Sequence, residues 1–281
     1  MINELPKLGV GIGFREQFRA DLFLHQRQID FLEITADHYF DANQKKLNEL
    51  ELLRQHFPLI PHGLNLSLGS AEGIDESYLE KFAELVERTN PAWFSEHLCF
   101  TKSGGKQIGH LAPVPYTNEA VKVFVKNISH VKKKISVPLI LENITYLMRF
   151  PSSEMTEAEF ITKILEESDC GLLLDVTNLY INSKNFNFDW REFLDELPME
   201  RVVQLHFVGS HKHNDRLIDA HGHKTGDDIW EVFREVCQRT VVKGAILERD
   251  ENFPPFAEIL DELQTAGNLL NNLNFAENSA V

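Results

Sequence analysis

The sequence predicts a single-domain α/β protein, a (β/α)8 barrel of the TIM type. Three observations carry that expectation. Eight short apolar runs recur along the 281 residues, as parallel strands covered on both faces require. A helix-length segment follows each run, and strict alternation of this kind packs helices around a parallel sheet. No internal repeat, low-complexity linker or composition break divides the units, and 281 residues suit one barrel. A doubly wound open sheet seldom needs eight such units.

The first strand is expected at 9–14 and its helix at 16–29. Gly9, Gly11 and Gly13 do not make a dinucleotide fingerprint, because Phe14 follows and no third glycine stands at the GxGxxG spacing. The second strand, 31–35, precedes a helix at 41–56, and the third, 59–68, a helix at 76–89 that Asp75 can cap. The fourth strand is expected at 93–100. After it, 101–116 is long and rich in glycine and proline, which suggests a lid or rim element. The helix at 117–134 ends in Lys132-Lys133-Lys134, where cations favour the helix dipole. Strand 139–143 leads to a helix at 156–168, announced by Thr156 with Glu159 three residues on. Strands 171–176 and 202–208, with a helix at 189–196 between them, complete most of the barrel. A helix at 227–239, a strand at 245–248 and a helix at 254–265 close it. The barrel is thus expected to occupy 1–265, with the asparagine-rich 266–281 a polar, loosely ordered tail.

Hydrophobic residues make up 43% of the chain, enough for a substantial core. No run of eighteen apolar residues exists, and the start, Met-Ile-Asn-Glu-Leu-Pro-Lys, lacks a signal-peptide pattern, so no membrane association and a cytoplasmic location are expected. Cys99, Cys170 and Cys237 are odd in number and widely spaced, which suits small buried hydrophobes rather than a disulfide framework. The formal net charge of −15 argues against a nucleic-acid partner, since phosphate backbones need clustered Lys and Arg.

The chemistry concentrates at the strand ends, which converge on one mouth in such a barrel. The segment 202–223 holds five of the twelve histidines, His206, His211, His213, His221 and His223, with Asp219 among them. Elsewhere the strand ends offer His62, His97, Glu142 followed by Asn143, Asp175 with Asn178 beyond it, and Glu248 followed by Arg249. A lone histidine such as His62 is more often a hydrogen-bonded core residue. Carboxylates ending the apolar runs Pro-Leu-Ile-Leu and Gly-Leu-Leu-Leu are harder to explain, because an unpaired buried charge costs several kcal/mol. Three carboxylates in one mouth repel unless cations lie between them. Eight candidate ligands exceed the three or four that one open metal site uses, so the residues indicate a multinuclear His/carboxylate site. Arg249 could instead neutralise a neighbouring carboxylate, and Asn143 and Asn178 could support the ligands or touch substrate.

The runs HGLNLSLGSA (62–71), FSEHLCFT (94–101), PVPYTNEAV (113–121), LILENITYL (139–147), LLLDVTNLYINS (172–183), LIDAHGH (217–223) and LERDENFP (247–254) resemble the multinuclear non-heme iron-dependent oxidases, the family that includes the methanobactin-biosynthesis oxidase. The resemblance covers nearly the whole chain. It implies a barrel of the xylose-isomerase group, two or three irons, and oxidation with O2 of a residue, often cysteine, in a ribosomally made precursor peptide. It also implies a small partner protein that presents the peptide. The family's iron ligands would fall on His62, His97, Glu142, Asp175, His206, Asp219, His221 and Glu248, with Glu142 as a bridging carboxylate. Asp37-His38-Tyr39 stands where the family usually has Glu-Asn-Tyr, Val-Gly-Ser ends the seventh strand where Ala-Gly-His is common, and Thr177 replaces an asparagine. These departures bear on the substrate rather than the metal. His38, His223 and the 101–116 segment are candidates for substrate contact. The alternatives are a sugar isomerase or epimerase of the xylose-isomerase type with Zn2+ or Mn2+, a three-zinc endonuclease disfavoured by the charge, and a non-catalytic metal-binding protein.

Overall fold

In the computed structural model, which describes residues 2–271, eight parallel strands close into one barrel. Strands β1 (Gly9–Gly13), β2 (Phe31–Thr35), β3 (Leu59–His62) and β4 (Phe94–His97) precede a hairpin of β5 (Phe100–Ser103) and β6 (Lys106–Ala112). Then come β7 (Leu139–Glu142), β8 (Gly171–Asp175) and β9 (Val202–Phe207), a second hairpin of β10 (Gly209–His213) and β11 (Arg216–His223), and β12 (Gly244–Leu247). Around the barrel the order is β1-β12-β9-β8-β7-β4-β3-β2, with β1 and β2 also paired. The helices are α1 (Arg19–Leu24), α2 (Gln44–His56), α3 (Glu76–Thr89), α4 (Asn118–Lys134), α5 (Glu157–Ser168), α6 (Val176–Phe186), α7 (Trp190–Glu196), α8 (Asp227–Arg239) and α9 (Phe256–Asn271). Asn43, Asp75, Thr117 and Thr156 cap four of them through side-chain oxygens that accept first-turn N–H bonds, each contributing about 1 kcal/mol.

The period-2 alternation of the strands makes two shells. Outward residues such as Leu32, Leu141, Leu174 and Leu205 join the layer beneath the helices. Inward ones form a plug of Phe31, Ile60, Trp93, Ile140, Leu173, Val203 and Ile246. Two residues further along each strand, the same inward face carries Glu33, His62, Ser95, Glu142, Asp175 and Glu248, all buried. On β9 the parity is reset by a bulge. Leu172 pairs with Val202 and Leu173 with Gln204, so Val203 is skipped and Gln204 and His206 turn inward with it.

Several expectations need correction. The third strand stops at His62 rather than 68, and the next position must be glycine, since a Cβ at Gly63 would lie 2.6 Å from Phe82 and 2.7 Å from Glu96. The segment expected as a long loop at 101–116 is mostly the β5–β6 hairpin. It turns at Gly104–Gly105, both with positive φ, as two-residue hairpin turns demand. The stretch 209–223 is likewise a hairpin. Helix α6 was hidden from propensity by its asparagines and β-branched residues; Asp175, at the end of β8, caps it through Asn178 N. The last helix runs to Asn271, with Ala266 and Leu270 buried, so the boundary expected at 265 falls inside it. Residues 272–281 of the expected tail lie outside the described residues. Cys99, Cys170 and Cys237 are free and buried. Among the described residues no helix is long and apolar enough to cross a membrane.

Candidate metal centre

The inward residues above the plug meet at the C-terminal mouth. His62 Nε2, His97 Nε2 and Glu142 Oε2 form a triangle with sides of 3.3, 3.3 and 3.4 Å. Ligand atoms about 2.1 Å from one ion are separated by roughly 3.0–3.4 Å at octahedral to tetrahedral angles, so the triangle has the size of a coordination face. The remaining ring atoms are already committed. His97 Nδ1 donates to the Gly63 carbonyl at 3.2 Å, which leaves the lone pair of the neutral ring on Nε2. His62 Nδ1 is held by Ser95 Oγ at 2.7 Å. Glu142 Oε2 is buried and has no hydrogen-bond partner.

The other oxygen of Glu142 faces a second group. Its Oε1 lies 3.2 Å from His206 Nδ1, which is also 3.2 Å from Glu248 Oε2. Ligand atoms of Glu142, Asp175, His206 and Glu248 all lie within 4.8 Å of one another. Asp175 Oδ1 accepts from Asn178 N at 2.7 Å while its Oδ2 is buried without a partner. The far side of His206 is fixed by Glu33, whose carboxylate oxygens lie 2.9 and 3.0 Å from Nε2. Gln204 Nε2 donates to Glu33 Oε2 at 2.6 Å and Trp93 Nε1 to Gln204 Oε1 at 2.8 Å, so the chain of support reaches into the plug. His206 therefore offers Nδ1 to the cluster, with its ring angle held from behind.

A third, outer group comes from the β10–β11 hairpin. Asp219 Oδ1 stands 2.8 Å from His221 Nε2 without hydrogen-bond geometry, and Glu248 Oε2 is 3.7 Å from the same nitrogen. His221 Nδ1 is held at 3.2 Å by Asp250 Oδ2, and Asp250 is paired with Arg15. This end is more open, with His221 at 22% side-chain exposure against 0% for His206.

The electrostatics favour positive charge among these carboxylates. Burial and the carboxylates of Asp219, Glu142 and Glu248 push the Asp175 carboxyl well above its usual range. Burial opposes ionisation of Glu142, but His206, His97 and His62 outweigh it and hold its pKa down. Glu248 is likewise held well below its usual range, its burial outweighed by His206 and His221. Burial disfavours the His97 cation, yet Glu142 and Glu96 raise it to about 9. Protons on imidazoles thus balance the acids in the metal-free chain. Three orphaned carboxylate oxygens, of Glu142, Asp175 and Asp219, and converging nitrogens at coordination spacing fit divalent ions better.

All eight expected ligands are brought together in these three groups. The expected supporting residues divide. Asn143 ties the ends of β7 and β8 together, its Nδ2 donating to Asp175 O and its Oδ1 accepting from Asp175 N. Asn178 Nδ2 donates to Asn143 O at 3.1 Å. Arg249 faces away from the mouth, because its neighbour Glu248 faces in, and pairs with Glu262 at 2.9 Å. His38 is exposed on a 3-10 turn at Ala36–Tyr39. His223 stacks on His211 with ring centroids 4.7 Å apart and joins neither buried cluster. Sequence reasoning missed Glu33 and Gln204 and gave Asp250, at the end of the eighth strand, no role. Glu33 carries a legible signal, a charged residue inside the apolar run Phe-Leu-Glu-Ile.

A family model described as RiPP precursor modification enzyme MbnB/TglH/ChrH matches residues 9–271. A UPF0276 protein of Anaeromyxobacter sp. (strain Fw109-5) is 34% identical over 259 residues, 92% of each chain. Among solved structures, an L-ribulose 3-epimerase superposes with a TM-score of 0.58 at 11% identity, covering 97% of this chain and 98% of that one. Endonuclease IV from Thermus thermophilus does so with a TM-score of 0.56 at 13% identity, covering 94% and 99%. At such identities the likeness shows the (β/α)8 barrel fold alone, and activity is not transferred by a barrel.

Proposed function

Because the chain belongs to the RiPP precursor modification enzyme family MbnB/TglH/ChrH, and is an enzyme of that family, we propose that it is an O2-dependent oxidase of a ribosomally made peptide that works with two or three irons. His62, His97 and Glu142 would hold one ion, Glu142, Asp175, His206 and Glu248 a second, and Glu248 with Asp219 and His221 a third. The observation that carries the reading is Glu142, whose two oxygens face two separate ligand groups. Iron bound there supplies one-electron chemistry and activation of O2.

The chain's own residues supply the rest. The apolar plug closes the barrel below the site, and burial of His62, Glu142 and His206 excludes bulk water from the inner positions. Glu33, Ser95, the Gly63 carbonyl and Asp250 orient the imidazoles. The exposed side, at Asp219 and His221, is where a peptide residue such as cysteine would reach the centre. Exposed Leu147, Met148 and Ile218, at 78%, 59% and 41%, offer apolar area on the connections around the mouth for the peptide and for a small presenting partner. The free cysteines fit a reducing cytoplasmic compartment.

None of the eight barrel strands ends in a lysine, and three histidines share the inner site, which disfavours the sugar isomerase reading. The test is metal content per chain after anaerobic purification from iron-supplemented cells, with Mössbauer spectra and O2 uptake on added precursor peptide. Two or three irons with a coupled ferric pair, and peptide-dependent O2 uptake, support the oxidase. One zinc or manganese without coupled iron refutes it in favour of an isomerase. A filled site that never consumes O2 leaves a metal-binding protein.

A further inference from the structure

Beside the metal-ligating mouth, the connection from β7 to α5 and the start of α7 enclose a cavity of about 270 Å3. Its apolar wall is Tyr116, Phe150, Met155, Phe188 and Phe193, and its ionisable lining is four acids, Glu157, Asp189, Glu192 and Glu196, against one cation, Arg149. We infer that this cavity is a specificity pocket for one basic side chain, lysine or arginine, of the polypeptide substrate; the inference rests on the peptide-modifying reading above.

Size, charge and wall chemistry each point that way. The volume lies below the roughly 300–1,000 Å3 of sites for drug-sized ligands, so it suits a single side chain. Among the described residues no lysine or arginine forms an ion pair with any of the four acids lining the cavity. Arg149, part of the lining, is packed on aromatic faces. Its guanidinium lies 4.9 and 5.0 Å from the ring centroids of Phe186 and Phe188, and its Nη2 is 3.4 Å from Tyr146 Oη. At the inner end Glu157 accepts a hydrogen bond from Tyr146 Oη at 2.8 Å, is also held by Tyr116, and feels the Arg149 cation without forming an ion pair with it. Burial raises its carboxyl pKa to about 7, which an incoming cation would reverse. Aromatic faces along the wall favour a cationic head and a methylene stem together.

The position fits a substrate contact rather than an isolated surface feature. The connection that forms the cavity leaves the barrel directly after Glu142. Tyr116 and Glu157 also line a narrow crevice that reaches Asn143, the next residue. A peptide with a basic residue seated here would run over the mouth toward Asp219 and His221.

The test uses the metal-free full chain and four probes: the Nα-acetyl amides of arginine, lysine, norleucine and glutamate. Calorimetry and saturation-transfer NMR give their affinities. The arginine and lysine probes are expected to bind about tenfold or more tightly than norleucine, the order of a desolvated cation–π and carboxylate contact. Glu157→Gln should weaken them by about tenfold. Glu192→Gln, on the exposed face of α7, tests the same charge where folding is not at stake, and should weaken them several-fold. Equal binding of norleucine and arginine, or unchanged affinity in both variants, overturns the pocket. Because the readout needs neither metal nor turnover, a chain that consumes O2 with peptide but ignores the arginine probe loses the pocket alone. A chain that binds the probe but takes up no iron loses the oxidase alone.

Discussion

Replacing Glu33 by glutamine should weaken metal binding without removing a ligand. The Glu33 carboxylate accepts from His206 Nε2 at 2.9 Å and from Gln204 Nε2 at 2.6 Å. Both donors reach Oε2, at 2.6 and 3.0 Å, so a glutamine oxygen there can serve both, but its NH2 then replaces Oε1, 2.9 Å from His206 Nε2, in a site where Glu33 is 4% exposed. Two consequences follow. The new amide NH2 is buried against the His206 Nε2–H, donor against donor, costing about 1–3 kcal/mol of stability. The His206 ring loses the carboxylate that sets its angle and its tautomer, and such supporting partners are worth about 10–100-fold in metal affinity, or roughly 1.4–2.7 kcal/mol. The assay is competition with a chromophoric chelator on the folded, metal-free chain, checked by circular dichroism. The loss should fall on the ion proposed at His206, and much less on the one proposed at His62 and His97. Unchanged affinity in a folded E33Q chain would refute the argument, and so would equal loss at every ion.

Four further outcomes are expected. Glu142→Gln should lower metal stoichiometry by more than one ion per chain, because both its oxygens face ligand groups; His62→Ala should lower it by about one, as metal analysis would read. Asp250→Asn loosens His221 Nδ1 and should deplete the outermost ion while the inner ones remain in the same analysis. Leu173→Ala opens a cavity in the fully buried plug and should cost about 2–5 kcal/mol in urea unfolding. Glu157 has its folded pKa raised, by burial, to about 7 from 4.5, so the folded chain holds that proton more tightly than the unfolded one. Its stabilising contribution is present below about pH 4.5 and is lost as pH rises through about 7. Glu157→Gln should therefore gain stability relative to wild type between pH 5 and pH 8, and a constant difference across that range would contradict the burial argument.

The sequence by itself determined the barrel and named most of the residues that meet at its mouth. Unbroken apolar runs are what strands covered on both faces must be, and the carboxylates Glu142, Asp175 and Glu248 ending such runs marked residues that would meet at one mouth, since burial leaves a lone carboxylate no cheap partner. The caps at Asp75 and Thr156 were legible for local reasons, Asp75 by standing directly before its helix and Thr156 by the glutamate three residues on. Tertiary structure alone decided what depends on closure. Glu33 and His206 are 173 residues apart and on strands that are not neighbours, and only the closed ring sets them face to face. The bulge on β9 could not be read from Val-Val-Gln-Leu-His, yet without it Gln204 and His206 would face the opposite side from Val203. Arg249 went to Glu262 for the same reason that Glu248 entered the mouth, since adjacent strand residues point to opposite faces. Local pattern specifies which residues are buried and on what period. Which buried groups meet is set by register and ring closure, and these long-range pairings leave no mark within any one segment.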